Sequence, residues 1–366
     1  MFEKILEAFS LAANDFTIVP FGTGLINHTW KLQSNTSKEA YILQRVNHTV
    51  FKHPEDITFN IRLIETYLQQ HAPDYLFIAP VPTINNTDYY FDEQLGFFRV
   101  FPFLHNSHSI DVVHLPQQAF EAARQFALFT KLLSGFNAEQ LKITLPNFHD
   151  ISLRFNDFNK ALKNGNRQRI DQAKDSIDYL LQQEYIVHTF EAIKKNPHFK
   201  VRVTHHDTKI SNVLFNASDK GLCVIDLDTV MPGYFISDIG DMMRTYLSPA
   251  NEEEADFSKV RIREDFFRAI IVGYLSEMKN ELTAEEKEYF VYAAKYLVYM
   301  QALRFLTDHI NNDVYYGAKY EGHNLVRANN QIALLNDITK KKDILNRIVQ
   351  ACLKETPAQM LQEFSA

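Results

Sequence analysis

Val203-Thr204-His205-His206-Asp207-Thr208-Lys209-Ile210-Ser211-Asn212-Val213-Leu214-Phe215, followed by Val224-Ile225-Asp226-Leu227-Asp228, is the stretch that decides how this 366-residue chain is read. It sets an acid, an amide and a second acid in a fixed order: Asn212 lies five positions after Asp207, and Asp226 fourteen after Asn212. Apolar pairs and triplets flank each polar group, the pattern of short buried strands that carry polar residues at their ends.

That spacing suits phosphoryl transfer. The transferred group passes through a loose transition state, so the protein's task is positioning and charge neutralisation. One carboxylate must meet the attacking hydroxyl and accept its proton, a role that falls to Asp207. Mg2+ takes hard oxygen ligands shared with substrate phosphates, and Asn212 and Asp226 supply them. Asp228, two positions on and on the same face of an extended segment, is a further candidate metal ligand, for a second metal, or a contact to the substrate. Lys209 sits two after the base, within reach of a transferring phosphate. An isolated Asp-Asn pair is an ordinary loop feature, since Asp and Asn favour turns. The added His205, Lys209 and the Ile225-Asp226 strand end make the pattern specific.

Working outward, Ile18-Val19-Pro20-Phe21-Gly22-Thr23-Gly24-Leu25-Ile26-Asn27-His28-Thr29-Trp30-Lys31-Leu32 reads as strand, glycine turn, strand. Gly22, Thr23 and Gly24 let backbone N–H groups approach phosphate; alone, Gly-x-Gly means no more than a hairpin. Ala40-Tyr41-Ile42-Leu43-Gln44-Arg45-Val46 is a strand on which kinases place a phosphate-gripping lysine. Here Gln44 stands at that position with Arg45 beside it, and either is a candidate for the phosphate contact. Pro54 to His71 is an amphipathic helix through Ile57, Ile61, Ile64 and Leu68, on which Glu65 is either the partner of a strand cation or a solvated charge. Gly96 to Leu104 reads as a buried strand ending as a hinge, with Ile42, Phe101 and Phe103 near adenine and Pro102 removing one backbone donor.

The order (glycine turn, cation strand, helix, hinge strand, catalytic loop, metal acid) resembles that of the aminoglycoside phosphotransferase and choline kinase superfamily. Within it, the chain looks most like bacterial N-acetylhexosamine 1-kinases. The likeness rests on Phe21 to Trp30, Tyr41 to Asn47, His206 to Lys209 with Asn212 to Phe215, Val224 to Gly233, and Asp238-Ile239-Gly240-Asp241 with Arg244. It implies an α+β, two-lobed protein-kinase-like fold with a small β-rich N-lobe and a larger, mainly helical C-lobe. It also implies transfer of the ATP γ-phosphate, with Mg2+, to the anomeric hydroxyl of GlcNAc or GalNAc. Substrate contacts are expected from Asn27, His28, Asp241, Arg244, Arg304 and Tyr315. For Asp238 and Asp241 the competing role is to fix the catalytic segment, and for Arg304 to pair with a buried carboxylate. Two other functions stay open on sequence: a kinase of another small alcohol (choline, homoserine or a different sugar), and a catalytically silent nucleotide-binding module.

Bulk properties agree. The chain is 46% hydrophobic with a net charge of −7, which fits a packed globule and not a nucleic-acid binder with a basic face. Its two cysteines, Cys223 and Cys352, form neither a metal motif nor a disulfide framework. No apolar run approaches the roughly 18 to 20 residues that span a membrane, and no leader pattern opens the chain, so a cytoplasmic protein is expected. Oligomeric state is not readable. The chain divides near residue 104 into a nucleotide-binding lobe (1–104) and a catalytic and substrate-binding lobe (105–366). Helices are expected in the first dozen residues and at 115–134, 170–195, 259–279, 283–310 and 324–352.

Overall fold

The computed structural model describes residues 2–22, 24 and 26–364. The chain opens with α1 (Phe2–Glu7) and runs into β1 (Phe16–Pro20), β2 (His28–Ser34) and β3 (Ala40–Val46). After α2 (Pro54–His71) come β4 (Tyr90–Asp92) and β5 (Gly96–Pro102). The five strands form one antiparallel sheet in the order β1-β2-β3-β5-β4. Alternation sorts the side chains onto two faces. One face carries Leu32, Leu43, Phe98 and Val100, which close a small core with Ile5, Leu6 and Phe9. The other carries Thr29, Lys31, Ile42, Gln44, Arg99 and Phe101, brought side by side by the strand register.

Pro54 starts α2 at a position where its missing N–H is no loss, and Glu55 and Asp56 fill the first turn, where negative charge is favoured. Its buried residues include Ile57, Ile61, Ile64 and Leu68, the stripe expected from sequence. Asn60, fully buried beside them, donates to the backbone oxygens of Val230 (3.0 Å) and Lys142 (2.9 Å). The helix is thereby pinned to the second lobe. Glu65 does not reach a strand cation; it pairs one turn back with Arg62, which also holds Asp88.

The second lobe is helical around short strands. It contains α3 (Pro116–Leu132), α4 (Ile151–Asn164), α5 (Arg167–Gln172), α6 (Lys174–Gln182) and α7 (Tyr185–Lys195), then β6 (Arg202–Thr204), β7 (Val213–Phe215), β8 (Gly221–Val224) and β9 (Met231–Gly233). It ends in α8 (Phe235–Tyr246), α9 (Glu264–Met278), α10 (Phe290–Ile310), α11 (His323–Lys340), α12 (Lys342–Cys352) and α13 (Pro357–Glu363). β6 pairs with β9 and β7 with β8, all antiparallel. The architecture is the two-lobed, protein-kinase-like one.

Several helix boundaries differ from the sequence expectation. The first helix stops at Glu7, because Ser10 turns the chain with φ 59°. The span 170–195 is three helices, broken at Ala173 and again at Gln183 and Glu184. Lys341 (φ −91°, ψ 5°) divides 324–352 in two. α4, opened by an Asp150 side chain that accepts the Leu153 N–H at 2.9 Å, lies outside the expected helices. Among the described residues no helix is long and apolar enough to cross a membrane, and both cysteines are buried and unpaired.

Candidate active site

The catalytic segment runs between β6 and β7 and is fixed from beneath by α8. Asp238 accepts the backbone N–H groups of His205 (3.1 Å) and His206 (2.7 Å), and Thr208 donates its hydroxyl to the Asp238 carbonyl (2.8 Å). Asp241, one turn on, accepts the Thr208 N–H at 2.9 Å. Tyr246 closes the loop by donating to the Thr208 carbonyl. These bonds hold His206 at φ 66°, a left-handed conformation uncommon for a non-glycine residue. Close approach demands Gly233: a Cβ there would lie 2.5 Å from the His206 ring.

Held this way, Asp207 keeps a quarter of its side chain exposed, with its carboxylate between Asn212 and Lys209. The amide nitrogen of Asn212 donates to its carboxylate (3.1 Å) and its carbonyl (2.8 Å), and Lys209 Nζ lies 3.0 Å from Oδ2. Desolvation draws the Lys209 pKa down, but Asp207, Asp226 and Asp241 outweigh it and raise it. Asp226 stands at φ 59°, and its carboxylate accepts no hydrogen bond from the protein among the described residues. Its side chain opens to solvent within the cleft, and the direction of its shift is upward: enclosure by the surrounding protein comes first, then the charges of Asp228 and Asp207.

An open carboxylate at Asp226 and an amide oxygen at Asn212, whose nitrogen is turned to Asp207, fit a hard divalent cation that takes its remaining ligands from phosphate and water. Among the described residues no group of three acidic, histidine or cysteine side chains is clustered for metal binding. Asp228 is not a further ligand. It is 3% exposed, one oxygen paired with the Arg99 guanidinium and the other accepting from Asn27 Nδ2 at 2.8 Å. Asn27 is likewise committed, since its Oδ1 accepts the Asn47 N–H at 3.1 Å. Asn27 and Asp228 therefore join the lobes instead of reaching substrate and metal.

On the nucleotide side, Gly22 takes φ +80° with nothing within 4 Å of a would-be Cβ, and Gly24 is similarly open. Thr23 lies outside the described residues. Ile42 faces the cleft next to Lys31 and Phe101. The Phe103 ring has Lys31 Nζ 3.9 Å above it and Phe21 6.0 Å away, edge-on. The Phe103 N–H is spent on the Ala40 carbonyl, leaving an adenine to neighbouring groups. Of the two candidate phosphate contacts, Gln44 faces the cleft. Arg45 pairs across the sheet with His28 and Phe98, on the opposite face. That same face takes His28, exposed beside Trp30 (6.2 Å between rings), away from Gln44 and Arg99. The period-2 rule alone separates Gln44 from Arg45.

The residues expected to face the acceptor form a connected wall. Asp241 gives its second oxygen to Arg244 (3.1 and 2.9 Å), so it anchors the loop instead of facing substrate. Arg244 continues to Glu252 (3.4 Å), which pairs with Arg327. Arg327 lies 5.2 Å from the Tyr316 ring, and Tyr316 accepts from Gln301 at 3.3 Å. Gln301 accepts from Arg304 (3.3 Å), whose other amino group meets the Tyr315 hydroxyl at 3.4 Å. Arg304 and Tyr315 thus come together. No carboxylate lies within ion-pair distance of Arg304 among the described residues. Burial, followed by the charges of His206, Arg304, Arg244 and Arg154, holds His149 well below its ordinary pKa.

Sequence reasoning missed Arg99, Arg154, His149 and Asp308. Asp308 accepts the N–H groups of Tyr315 (2.7 Å) and Tyr316 (2.9 Å), fixing the loop that presents them. Lone charges in apolar runs, Arg99 within Phe97-Phe98-Arg99-Val100-Phe101 above all, were the available signal.

A model of the phosphotransferase enzyme family matches residues 17–269. The structure is similar to that of an amicoumacin kinase in complex with AMP-PNP and Ca2+, with 14% identity over 90% of this chain and 89% of that one and a TM-score of 0.59. A microcompartment-associated aminopropanol kinase matches at 11% identity over 94% and 97%, with a TM-score of 0.59. Choline kinase from Cryptosporidium parvum Iowa II matches at 11% over 93% and 94%, with a TM-score of 0.54. At these identities the likeness is one of fold.

Proposed function

The chain belongs to the phosphotransferase enzyme family of small-molecule kinases, and we propose that it transfers the γ-phosphate of ATP to the anomeric hydroxyl of an N-acetylhexosamine, giving the 1-phosphate. Asp207 is the base: it takes the hydroxyl proton as the acceptor oxygen bonds to the γ-phosphorus. The bond from phosphorus to the β,γ-bridging oxygen breaks, and ADP leaves with that electron pair. Lys209, 3.0 Å from Asp207, offsets negative charge where the three groups meet. Asn212 and Asp226 are the residues that would hold Mg2+, which when bound neutralises phosphate charge.

One observation carries the choice of acceptor. The charges of Arg304, Arg244 and Arg154 all act on His149, and among the described residues Arg304 has no acid partner. A cationic acceptor such as choline needs a carboxylate or an aromatic cage and is repelled by unpaired guanidinium charge. A neutral sugar offers what Arg304 and Tyr315 seek, hydroxyl and acetamido oxygens that accept hydrogen bonds. Cytoplasmic residence, where ATP is at hand, goes with this reading.

The test is ATP consumption with Mg2+ against GlcNAc, GalNAc, glucose, galactose, choline and homoserine, with identification of the product. A hexosamine 1-phosphate is the expected outcome. Turnover confined to choline or homoserine sinks the sugar reading and leaves the kinase chemistry intact.

A further inference from the structure

We propose that Arg99, on the hinge strand β5, is the cation that grips the ATP phosphates, in place of the lysine that kinases carry on the strand corresponding to β3. Gln44 is its positioning residue. The inference rests on the kinase reading but not on the identity of the acceptor.

The neutral Gln44 leaves β3 without a phosphate-binding charge on the cleft face, since Arg45 points to the other side. Sheet register places Gln44 directly opposite Arg99, and neighbouring strands lie about 4.8 Å apart. A charge moved from one to the other shifts by one strand and stays on the same face. The two side chains are locked together: Gln44 Oε1 accepts from Arg99 Nε (3.0 Å) and Nη2 (2.9 Å). Gln44 Nε2 in turn donates to the Thr29 hydroxyl at 3.4 Å. Nη2 also pairs with Asp228, two residues after the candidate metal ligand Asp226.

Arg99 is 1% exposed, and among the described residues its third nitrogen, Nη1, is buried with no hydrogen-bond partner. A guanidinium has five donors in a rigid fork, and a buried one left unsatisfied calls for an acceptor the protein does not supply. Phosphate oxygen is the acceptor that this cleft is built to receive, and the planar fork suits it. A role confined to tying the lobes through Asp228 accounts for Nη2 but leaves Nη1 orphaned.

The test compares binding of ADP and adenosine to wild type, Arg99→Met and the double variant Gln44→Lys/Arg99→Met, alongside their thermal unfolding. Adenosine has the base and ribose of ADP without the phosphates. The expected result is that Arg99→Met weakens ADP at least tenfold and changes adenosine less than twofold. The double variant, with its charge returned to β3 and still near Asp228, then recovers ADP affinity. Equal weakening of both ligands, or full ADP affinity in a folded Arg99→Met, overturns the proposal while the kinase reading stands. Should Arg99→Met fail to fold, the double variant decides by its own ratio: ADP affinity near wild type supports phosphate contact, and tight adenosine with lost ADP overturns a transferable charge. Wild type that binds neither ligand overturns both readings.

Discussion

Asp238 accepts two consecutive backbone N–H groups, those of His205 at 3.1 Å and His206 at 2.7 Å, and so sets the left-handed turn that delivers Asp207. Removing it orphans two buried donors, at about 1–3 kcal/mol each. Asp238→Ala is therefore expected to lose at least about 2 kcal/mol of stability, whereas Asp238→Asn keeps one acceptor oxygen and loses less. There is a pH signature too. Burial pushes the Asp238 carboxyl up to about 7, above its unfolded value. Its contribution is complete below the unfolded pKa and fades as pH rises through about 7. Urea midpoints of wild type relative to Asp238→Asn should fall between pH 5 and pH 8. A constant difference removes Asp238 as the titrating group.

Asp207 has a different signature, because its work is chemical. Asp207→Asn preserves the size and the contact with Asn212 while losing the capacity to take a proton. We expect turnover to drop by about 10²–10⁴-fold, the range for loss of a general base, with ADP affinity within a few-fold of wild type. Single-turnover kinetics with the identified acceptor gives the comparison. Near-normal turnover means that another group is the base.

How much of this was legible follows from how locally each feature is encoded. Asp207, Asn212 and Asp226 were readable because one loop and two short strands fix their spacing. The α2 stripe was readable because helical period needs no tertiary knowledge. Asp228 illustrates the limit: its face was inferred from an extended segment, but Leu227–Thr229 is a 3-10 turn and Arg99, 129 residues away, claims the carboxylate. Arg45 and Gln44 differ only in parity, so the choice needed the register with β5. Arg304 and Tyr315 stand on a helix and a following loop, and their meeting depends on Asp308 holding that loop by the Tyr315 and Tyr316 N–H groups, contacts no local pattern announces.

Nucleotide binding should carry its own pH dependence. Enclosure in the cleft, with Asp228 and Asp207 nearby, raises the Asp226 carboxyl above the ordinary range near 3.9. Above its raised pKa it is ionised and open to a cation; below, a proton has to be displaced. Mg-ADP affinity is thus expected to weaken on acidification well before pH 4, by up to about tenfold per pH unit once below that pKa. Asp226→Asn should bind Mg-ADP weakly and with a flatter profile, and ADP with a chelator should bind alike in both proteins. Calorimetric titration from pH 8 to pH 5 measures this, and parallel profiles for the two proteins count against Asp226 as the metal ligand.

Arg304 and Tyr315 separate acceptor binding from nucleotide binding. Arg304 makes weak hydrogen bonds to Gln301 (3.3 Å) and Tyr315 (3.4 Å), lies 5.4 Å from the Tyr316 ring, and has no carboxylate partner among the described residues, so its charge is available to a ligand. A hydrogen bond from a charged donor contributes about 1.5–3 kcal/mol. Arg304→Ala is then expected to raise the acceptor KM roughly tenfold to hundredfold, leaving the KM for ATP unchanged. Tyr315→Phe, which loses only a neutral hydroxyl, should raise it by less, roughly threefold to tenfold. With its guanidinium gone, the pocket repels cations less, so the discrimination of Arg304→Ala against choline should narrow. If Arg304→Ala instead impairs ATP and acceptor equally, the wall from Asp241 to Tyr315 supports the catalytic loop and does not line the acceptor pocket.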